Sequence, residues 1–232
     1  MLISEKTVKD MRAQLQERGW FHMQSATGDA LFSLAESLGS VVYETDVSVR
    51  KESRGMVTSD KALDFHTDHS LVDYVAWFCI KPDDRGGDTI LADALDAFAL
   101  LNDDDRKTLE SVMLKEHVVF ENDPGAAPLV SKANGMLKFY YSFWLADKRM
   151  PPDCRRAFDA FRRALAGAPF HRFKLRRNDI LVVDNSRILH GRMSIKDPSR
   201  RLRRLWICST PLHPINEVHH EYANRSKSSK PA

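Results

Sequence analysis

The sequence predicts a mainly β protein, an antiparallel double sheet or jelly roll with flanking helices. Short runs rich in β-branched and aromatic residues recur about eight or nine times, separated by turn residues. Helical patterns gather at the N-terminus and in two internal segments instead of alternating with strands, which argues against a doubly wound parallel sheet. No repeat or linker divides the chain, so we expect one domain over residues 1–210 and a polar, flexible tail over 211–232.

The individual elements follow from periodicity and from the residues that bound them. Apolar residues at helical spacing, with Ser4 as an N-cap and Gly19 and Gly39 as stops, predict the first two helices. Helices are expected at 4–18, 28–38, 93–113 with a break near 102–105, and 151–166. Strands are expected at 20–23, 41–43, 74–80, 89–92, 118–120, 136–143, 170–175, 180–183 and 201–208. Residues 44–62 are polar and without a pattern, so we expect a loop there.

Composition and charge exclude several classes of protein. No apolar run reaches the roughly 18 residues of a membrane span, and no apolar segment near Met1 resembles a secretory signal. The three cysteines are widely spaced and expected to be reduced, which predicts a cytoplasmic protein. The formal net charge of +3 is matched by Arg225, Lys227 and Lys230, so residues 1–224 sum to about zero. A neutral body argues against a dedicated nucleic-acid-binding protein.

The chemical motif that stands out is His66-Thr67-Asp68, which precedes an apolar run from Leu71 to Ile80. In a strand, residues i and i+2 point to the same face, so this imidazole and this carboxylate would point to one place. They are two of the three ligands of a 2-His-1-carboxylate triad, which holds Fe(II) and leaves coordination positions open.

A second histidine is needed to complete such a triad. The candidates are His117, His171, His190, His213, His219 and His220. Only His190 follows a strongly apolar strand and a polar corner, and Gly191 beside it lets another backbone approach closely. The alternative interpretation of His190 is a hydrogen-bonded core histidine.

The run of arginines at 200–204 contains a second signal. It continues into an apolar strand, so alternate residues face inward, and Arg200, Leu202 and Arg204 share one face. An inward arginine is costly unless an anion meets it, and a guanidinium matches a carboxylate in a bidentate geometry. A solvated basic face or a phosphate-binding patch is the other interpretation of this run.

These motifs occur in an order that resembles a known enzyme family. The residues that carry the resemblance are His66-Thr67-Asp68, Gly86-Gly87-Asp88-Thr89, Asp184-Asn185-Ser186-Arg187-Ile188-Leu189-His190-Gly191-Arg192, and Arg200 with Arg204. From about Gly19 to Ile207, the chain resembles the TauD/TfdA-like (clavaminate synthase-like) Fe(II)- and 2-oxoglutarate-dependent dioxygenases. The resemblance implies that the core is a double-stranded β-helix, a cupin-like jelly roll.

The resemblance also implies a site and a reaction that uses O2. The implied ligands of Fe(II) are His66, Asp68 and His190. The implied contacts to the co-substrate 2-oxoglutarate are Thr89 and Arg200, with Arg204 as a second anion contact and Arg201 as the alternative to Arg200. The reaction would convert 2-oxoglutarate to succinate and hydroxylate a substrate, with desaturation or cyclisation still open. Asp68 argues against a halogenase, because related halogenases have a small residue at that position.

The substrate is less well indicated. The candidate contacts are His69, Ser70, Tyr43, Phe139 and Tyr141. We expect a small polar molecule, an amino acid or another carboxylate from specialised metabolism, although the short segment 114–150 leaves room for a carrier-tethered substrate. The alternatives are an oxidative demethylase of nucleic acid or protein and a non-catalytic jelly-roll binding module. The sequence indicates no oligomeric state.

Overall fold

The structure, a computed structural model, describes residues 3–50 and 56–213. Its helices are α1 (Glu5–Arg18), α2 (Gly28–Leu38), α3 (Ala94–Ala99), α4 (Asp103–Leu109) and α5 (Pro152–Gly167), with a 3₁₀ turn at Phe143–Leu145. Its strands are β1 (Trp20–Met23), β2 (Ser40–Ser48), β3 (Leu63–His66), β4 (Tyr74–Lys81), β5 (Thr89–Asp93), β6 (Met113–Lys115), β7 (Ala126–Pro128), β8 (Val130–Ala133), β9 (Met136–Phe139), β10 (Phe170–Phe173), β11 (Ile180–Asp184), β12 (Ile188–Arg192) and β13 (Arg201–Cys208).

Two antiparallel sheets form the core of the fold. The larger sheet has the strand order β1-β11-β4-β13-β2, and the smaller sheet has the order β10-β5-β12-β3. Strands that are distant in the chain, such as β3 and β12, lie side by side, as crossover connections in a jelly roll require. The predicted fold class, a double-stranded β-helix with flanking helices, is confirmed.

Strand alternation sorts the apolar residues into layers. Leu181 and Val183 of β11 lie in the cluster between the two sheets. Ile180 and Val182 of the same strand face the opposite way and pack with α1 and α2. The outer face of the smaller sheet contributes Leu189 to a third cluster beneath α3, α4 and α5. Helices therefore cover the outer faces, and the space between the sheets is available for a site.

Most of the predicted helix ends are found. Ser4 caps α1, since its hydroxyl accepts a hydrogen bond from the N–H of Thr7 at 3.1 Å, and Gly19 ends the helix with a φ of 78°. Asn102 caps α4 and produces the predicted break between α3 and α4.

Two local predictions are wrong. Strand β2 extends to Ser48, into the segment predicted as a loop, because its acids pair with β13: Arg203 lies 3.1 Å from Glu44, and Arg201 lies 3.8 Å from Asp46. Residues 118–120 do not form a strand, and the short strand β6 precedes them.

The predicted tail falls mostly outside the described residues, which end at residue 213, and the boundary at residue 210 stays a prediction. Within the described part, none of the helices combines the length and the apolar character that crossing a membrane requires.

Candidate active site

His66, Asp68 and His190 converge between the two sheets. His66 ends β3 and is paired with His190 of β12, and their ring centroids are 4.4 Å apart. Asp68 lies in the bend that follows β3, with its Oδ1 3.7 Å from Nε2 of His190. All three are buried, and their ligand atoms lie within 4.8 Å of one another. Two imidazoles and one carboxylate at this separation fit the 2-His-1-carboxylate set that binds Fe(II). We call these residues the metal triad.

The protonation states of the triad suit a metal. Nδ1 of His66 donates to the carbonyl of Asp64 at 2.9 Å, which leaves the lone pair on Nε2. Burial, followed by the charge of His190, lowers the pKa of His66 to about 3, so its imidazole is neutral at neutral pH. Burial raises the pKa of Asp68, but Arg204 and the nearby histidines outweigh that effect and hold the pKa below its usual range.

Asp68 is positioned by donors to its carboxylate and by a hydrogen bond from its backbone. Nη1 of Arg204 donates to both carboxylate oxygens, at 3.0 Å each, and Nε1 of Trp206 donates to Oδ2 at 2.7 Å. The N–H of Asp68 donates to the side-chain carbonyl of Asn185 at 2.8 Å. The amide of Asn185 in turn donates to the carbonyl of His69 at 3.2 Å, so one buried side chain fixes the bend that carries the ligand.

A narrow pocket beside the triad carries one hydroxyl and three guanidinium groups, and we call it the arginine pocket. The polar residues that line it are Thr89, Arg192, Arg200 and Arg204. Arg200 is only 4% exposed, burial lowers its pKa, and it forms no ion pair with an acid in residues 3–50 or 56–213. Gly87 makes room for it: its φ is 67°, and a Cβ there would lie 2.9 Å from Cδ and Nε of Arg200. The partner that the buried guanidinium of Arg200 needs is an anion.

A larger cavity of about 600 Å³ opens beside the triad. It shares His66 and Arg204 with the arginine pocket, so the two spaces meet at the metal triad. The segment between β6 and α5 supplies much of its wall, including Glu116, Tyr140 and Trp144. The short segment 114–150, which the sequence associated with an open pocket for a carrier-tethered substrate, therefore forms walls of the cavity.

His69 and Glu116 in the wall of the large cavity belong, together with Asp123, to a second set of ionisable groups, which we call the His69 cluster. Nδ1 of His69 accepts from the N–H of Leu71 at 3.2 Å, which assigns the ring proton to Nε2, and Nε2 donates to Oδ2 of Asp123 at 2.8 Å. Glu116 accepts from the N–H and the hydroxyl of Ser70 at 3.1 and 2.5 Å. The side chains of Glu116 and Asp123 are 2% and 0% exposed, and neither pairs with a described lysine or arginine.

The structure brings the implied iron and 2-oxoglutarate residues together, but it corrects part of the substrate set. His69 lines the large cavity. Phe139 and Tyr141 belong to the hydrophobic cluster beneath α5, because on this segment Tyr140 and Ser142 are the residues that face the cavity. Ser70 and Tyr43 do not line the cavity either: the ring of Tyr43 packs at a tilt against Trp206, with ring centroids 4.7 Å apart, and the hydroxyl of Ser70 donates to Glu116.

The other histidines and the arginine that the sequence offered as candidates lie outside the metal triad and the arginine pocket, or outside the described residues. Arg201, the alternative to Arg200, is exposed and lies near Asp46. His171 lies on β10 beside Trp20, and His117 lines the large cavity. His213 is exposed at the end of the described chain, and His219 and His220 lie outside the described residues.

Sequence reasoning missed several residues of the site. Asn185 and Arg192 were inside the recognised motif but had no role assigned, although a polar residue at the end of an apolar strand is a usable signal. Trp206 continues the inward face of Leu202 and Arg204, so strand parity could have identified it. Glu116 and Asp123 carried no pattern, because only the packing of residues 114–128 against the bend after β3 brings them to the site.

Comparison with known proteins places these observations in a family. The model of the family described as "Taurine catabolism dioxygenase TauD, TfdA family" matches residues 4–206. No curated protein sequence matches the chain.

Solved structures match across most of the chain. Asparagine oxygenase in complex with Fe(II), (2S,3S)-3-hydroxyasparagine and succinate has a TM-score of 0.72 at 15% identity, covering 89% of this chain and 80% of that one. The non-heme iron oxygenase OrfP with Fe, succinate and (3S)-hydroxy-L-Arg has a TM-score of 0.70 at 16% identity, covering 90% and 82%. PvcB from Pseudomonas aeruginosa has a TM-score of 0.65 at 16% identity, covering 92% and 84%. At these identities the likeness establishes the fold.

The chain belongs to the TauD/TfdA dioxygenase family, because the family model covers nearly all of its domain. It is an Fe(II)- and 2-oxoglutarate-dependent dioxygenase, and the metal triad is of the type of ligand set that this chemistry uses. The predicted enzyme class and cofactors are confirmed, and the alternative of a non-catalytic binding module is wrong.

Proposed function

We propose that the enzyme hydroxylates an unactivated C–H bond of a small amino-acid-like molecule, in a pathway of specialised metabolism. The observation that carries this proposal is the pair of unlike charges in the wall of the large cavity, the guanidinium of Arg204 and the buried carboxylate of Glu116. Arg204 contacts Asp68 through Nη1, and its buried Nε has no hydrogen-bond partner among the described residues. A molecule with a free carboxylate and a free ammonium group would supply an acceptor to Nε of Arg204 and a cation to Glu116.

Two of the similar solved structures support the same substrate class, since one holds 3-hydroxyasparagine and the other holds 3-hydroxyarginine. The tautomer of His69 also favours an organic cation over a metal ion at Glu116. A metal would need the lone pair of Nε2, whereas that nitrogen carries the proton donated to Asp123.

The residues of the chain have distinct roles in this proposal. Bound Fe(II), with 2-oxoglutarate and O2, supplies the oxidising chemistry that yields succinate, carbon dioxide and an alcohol. The residues that hold the metal are His66, Asp68 and His190. Thr89 and Arg200 would bind the distal carboxylate of 2-oxoglutarate, and Arg204 would provide the second anion contact, to the carboxylate of the substrate. Tyr140 and Trp144 exclude water from the cavity in which the substrate is oxidised.

We also propose a cytoplasmic enzyme that acts on a free small molecule and not on nucleic acid. The cysteines Cys79, Cys154 and Cys208 are all free, which suits a reducing compartment. The near-zero net charge of residues 1–224 supports the choice of a small molecule.

The proposal is tested by measuring succinate. The protein is purified anaerobically, loaded with Fe(II), and exposed to 2-oxoglutarate and O2 with a panel of free amino acids and their N-acetyl and amide derivatives. We expect at least one free amino acid to raise succinate well above the background, and blocking either charged group to abolish the increase. A panel in which no compound with both groups stimulates turnover would contradict the substrate class.

Two variants test the proposed metal site and the proposed substrate class separately. Asp68→Ala should produce no succinate above the uncatalysed level, and equal succinate from this variant and the wild type would overturn the metal site. Glu116→Gln should raise KM for the stimulating amino acid about 10-fold or more, because a charge-assisted hydrogen bond to the ammonium group is lost. The exposed Glu110, replaced by glutamine, is the matched control and should leave KM unchanged.

A further inference from the structure

Arg192, the last residue of β12, is a buried arginine with donors to spare. Its Nη2 donates to the carbonyls of Met56 and Ser59 at 3.2 and 2.5 Å. Its Nε and Nη1 are buried, and neither has a hydrogen-bond partner among the described residues. The residue is 6% exposed and forms no ion pair with a described acid. Neither solvent nor a described residue therefore accepts a hydrogen bond from Nε or Nη1. Unmet donors on a buried cation are unfavourable, and they indicate that a ligand supplies the acceptors.

The strand register places this guanidinium in the arginine pocket. Arg192 is directly opposite Thr89 in the antiparallel pairing of β12 with β5, and opposed residues project from the same face. It follows His190 by two positions, so both side chains point to the interior. Arg192, Thr89 and Arg200 accordingly line one pocket beside the metal triad.

We infer that Arg192 binds the distal carboxylate of 2-oxoglutarate together with Arg200 and Thr89, an inference that rests on the proposed co-substrate site. Two guanidinium groups and a hydroxyl can satisfy the several acceptor positions of one carboxylate. Either arginine alone would leave the other buried without a counter-charge.

The same guanidinium connects the co-substrate to the substrate side of the site. Nη2 of Arg192 holds the carbonyls of Met56 and Ser59, and residues 56–58 line the large cavity. Arg192 therefore fixes a wall of the large cavity with one nitrogen while its other two nitrogens meet the co-substrate.

The test compares 2-oxoglutarate with 2-oxopentanoate, which has the same carbon chain without the distal carboxylate. Both compounds are titrated anaerobically into the Fe(II)-loaded protein, and their dissociation constants are measured by calorimetry. Arg192→Met should bind 2-oxoglutarate about 10- to 100-fold more weakly than the wild type and bind 2-oxopentanoate equally well. The affinity of Arg192→Lys for 2-oxoglutarate should lie between that of the wild type and that of Arg192→Met. The exposed Arg163 on α5, replaced by methionine, is the matched control and should change neither constant.

The outcomes separate this inference from the site on which it rests. An equal loss of affinity for both 2-oxo acids in Arg192→Met would show that Arg192 only supports residues 56–59, and it would overturn the inference. Unchanged binding of 2-oxoglutarate would overturn it as well. Arg200→Met serves as the reference: if it keeps the wild-type preference for 2-oxoglutarate, the proposed co-substrate site is itself wrong. If Arg200→Met loses that preference and Arg192→Met does not, only the inference about Arg192 fails.

Discussion

The metal triad and the His69 cluster both contribute residues to the wall of the large cavity, and they differ in how their histidine nitrogens are used. In the triad, Nδ1 of His66 donates to a backbone carbonyl and leaves the lone pair on Nε2. In the His69 cluster, Nδ1 of His69 accepts from a backbone N–H, and Nε2 donates to Asp123. The side chains of both sets are buried and both combine imidazole with carboxylate, so their composition does not distinguish them.

The difference shows that backbone hydrogen bonds select which cluster can bind a metal. A carbonyl beside His66 takes the proton and frees a lone pair, whereas an N–H beside His69 takes the lone pair and keeps the proton. The His69 cluster therefore carries buried negative charge without a metal ligand on its histidine. It is suited to accept hydrogen bonds from a substrate cation.

The largest expected effect is on metal stoichiometry. Anaerobic titration of Fe(II) into the wild type should show one tight site, because His66 keeps a lone pair on Nε2, whereas Nε2 of His69 carries the proton donated to Asp123. His190→Gln should lose that site, whereas the matched variant His69→Gln should keep it. Two tight sites in the wild type, or the loss of the site in His69→Gln with its circular dichroism spectrum unchanged, would break the distinction between the clusters.

A smaller effect is expected on stability from Asp123→Asn. Asp123 accepts hydrogen bonds from His69 and from the N–H groups of Val119 and Gly125, so we expect the free energy of unfolding to fall by about 1–3 kcal/mol at neutral pH. Urea unfolding of the wild type and the variant measures the difference.

The pH dependence of that difference sharpens the prediction. Burial raises the pKa of Asp123, but the N–H groups of Gly125 and Val119 outweigh burial and hold the pKa below its ordinary value of about 3.9. A depressed pKa stabilises the fold above the unfolded pKa, and the stabilisation is lost as the pH falls through the folded pKa. The advantage of the wild type should therefore shrink below about pH 4, and an advantage that grew on acidification would contradict this account.

The smallest effect is expected from Ser70→Ala. The hydroxyl of Ser70 donates to Glu116 at 2.5 Å, while the N–H of the same residue still donates at 3.1 Å after the substitution. Losing one of these two bonds should cost about 1 kcal/mol in the free energy of unfolding and leave Fe(II) binding unchanged. Ser33→Ala, which removes an exposed helical hydroxyl, is the control. Altered Fe(II) affinity in Ser70→Ala would show that the two clusters are coupled.

The parts of the site that could be predicted from the sequence are those with a local signature. The spacing of His66 and Asp68 indicated a shared direction, and the inward face of the arginine run indicated that Arg200 and Arg204 lie together. The substrate wall had no such signature: Phe139 and Tyr141 were assigned to the wrong face, because the backbone pairing of Tyr141 with Thr67 turns Tyr140 toward the cavity.

The sequence by itself determined the fold class, the ligand types and the alternation of residues along each strand, since propensity and period are properties of neighbouring residues. Only the tertiary structure decided which distant groups meet. The pairing of β3 with β12 selects His190 from several histidines, and the pairing of β13 with β2 gives Arg203 an acid partner while Arg200 and Arg204 face the arginine pocket. The charge on Glu116 has a role only because the fold places its buried side chain in the wall of the cavity that Asp68 and Arg204 also line, where a cation is the partner it lacks.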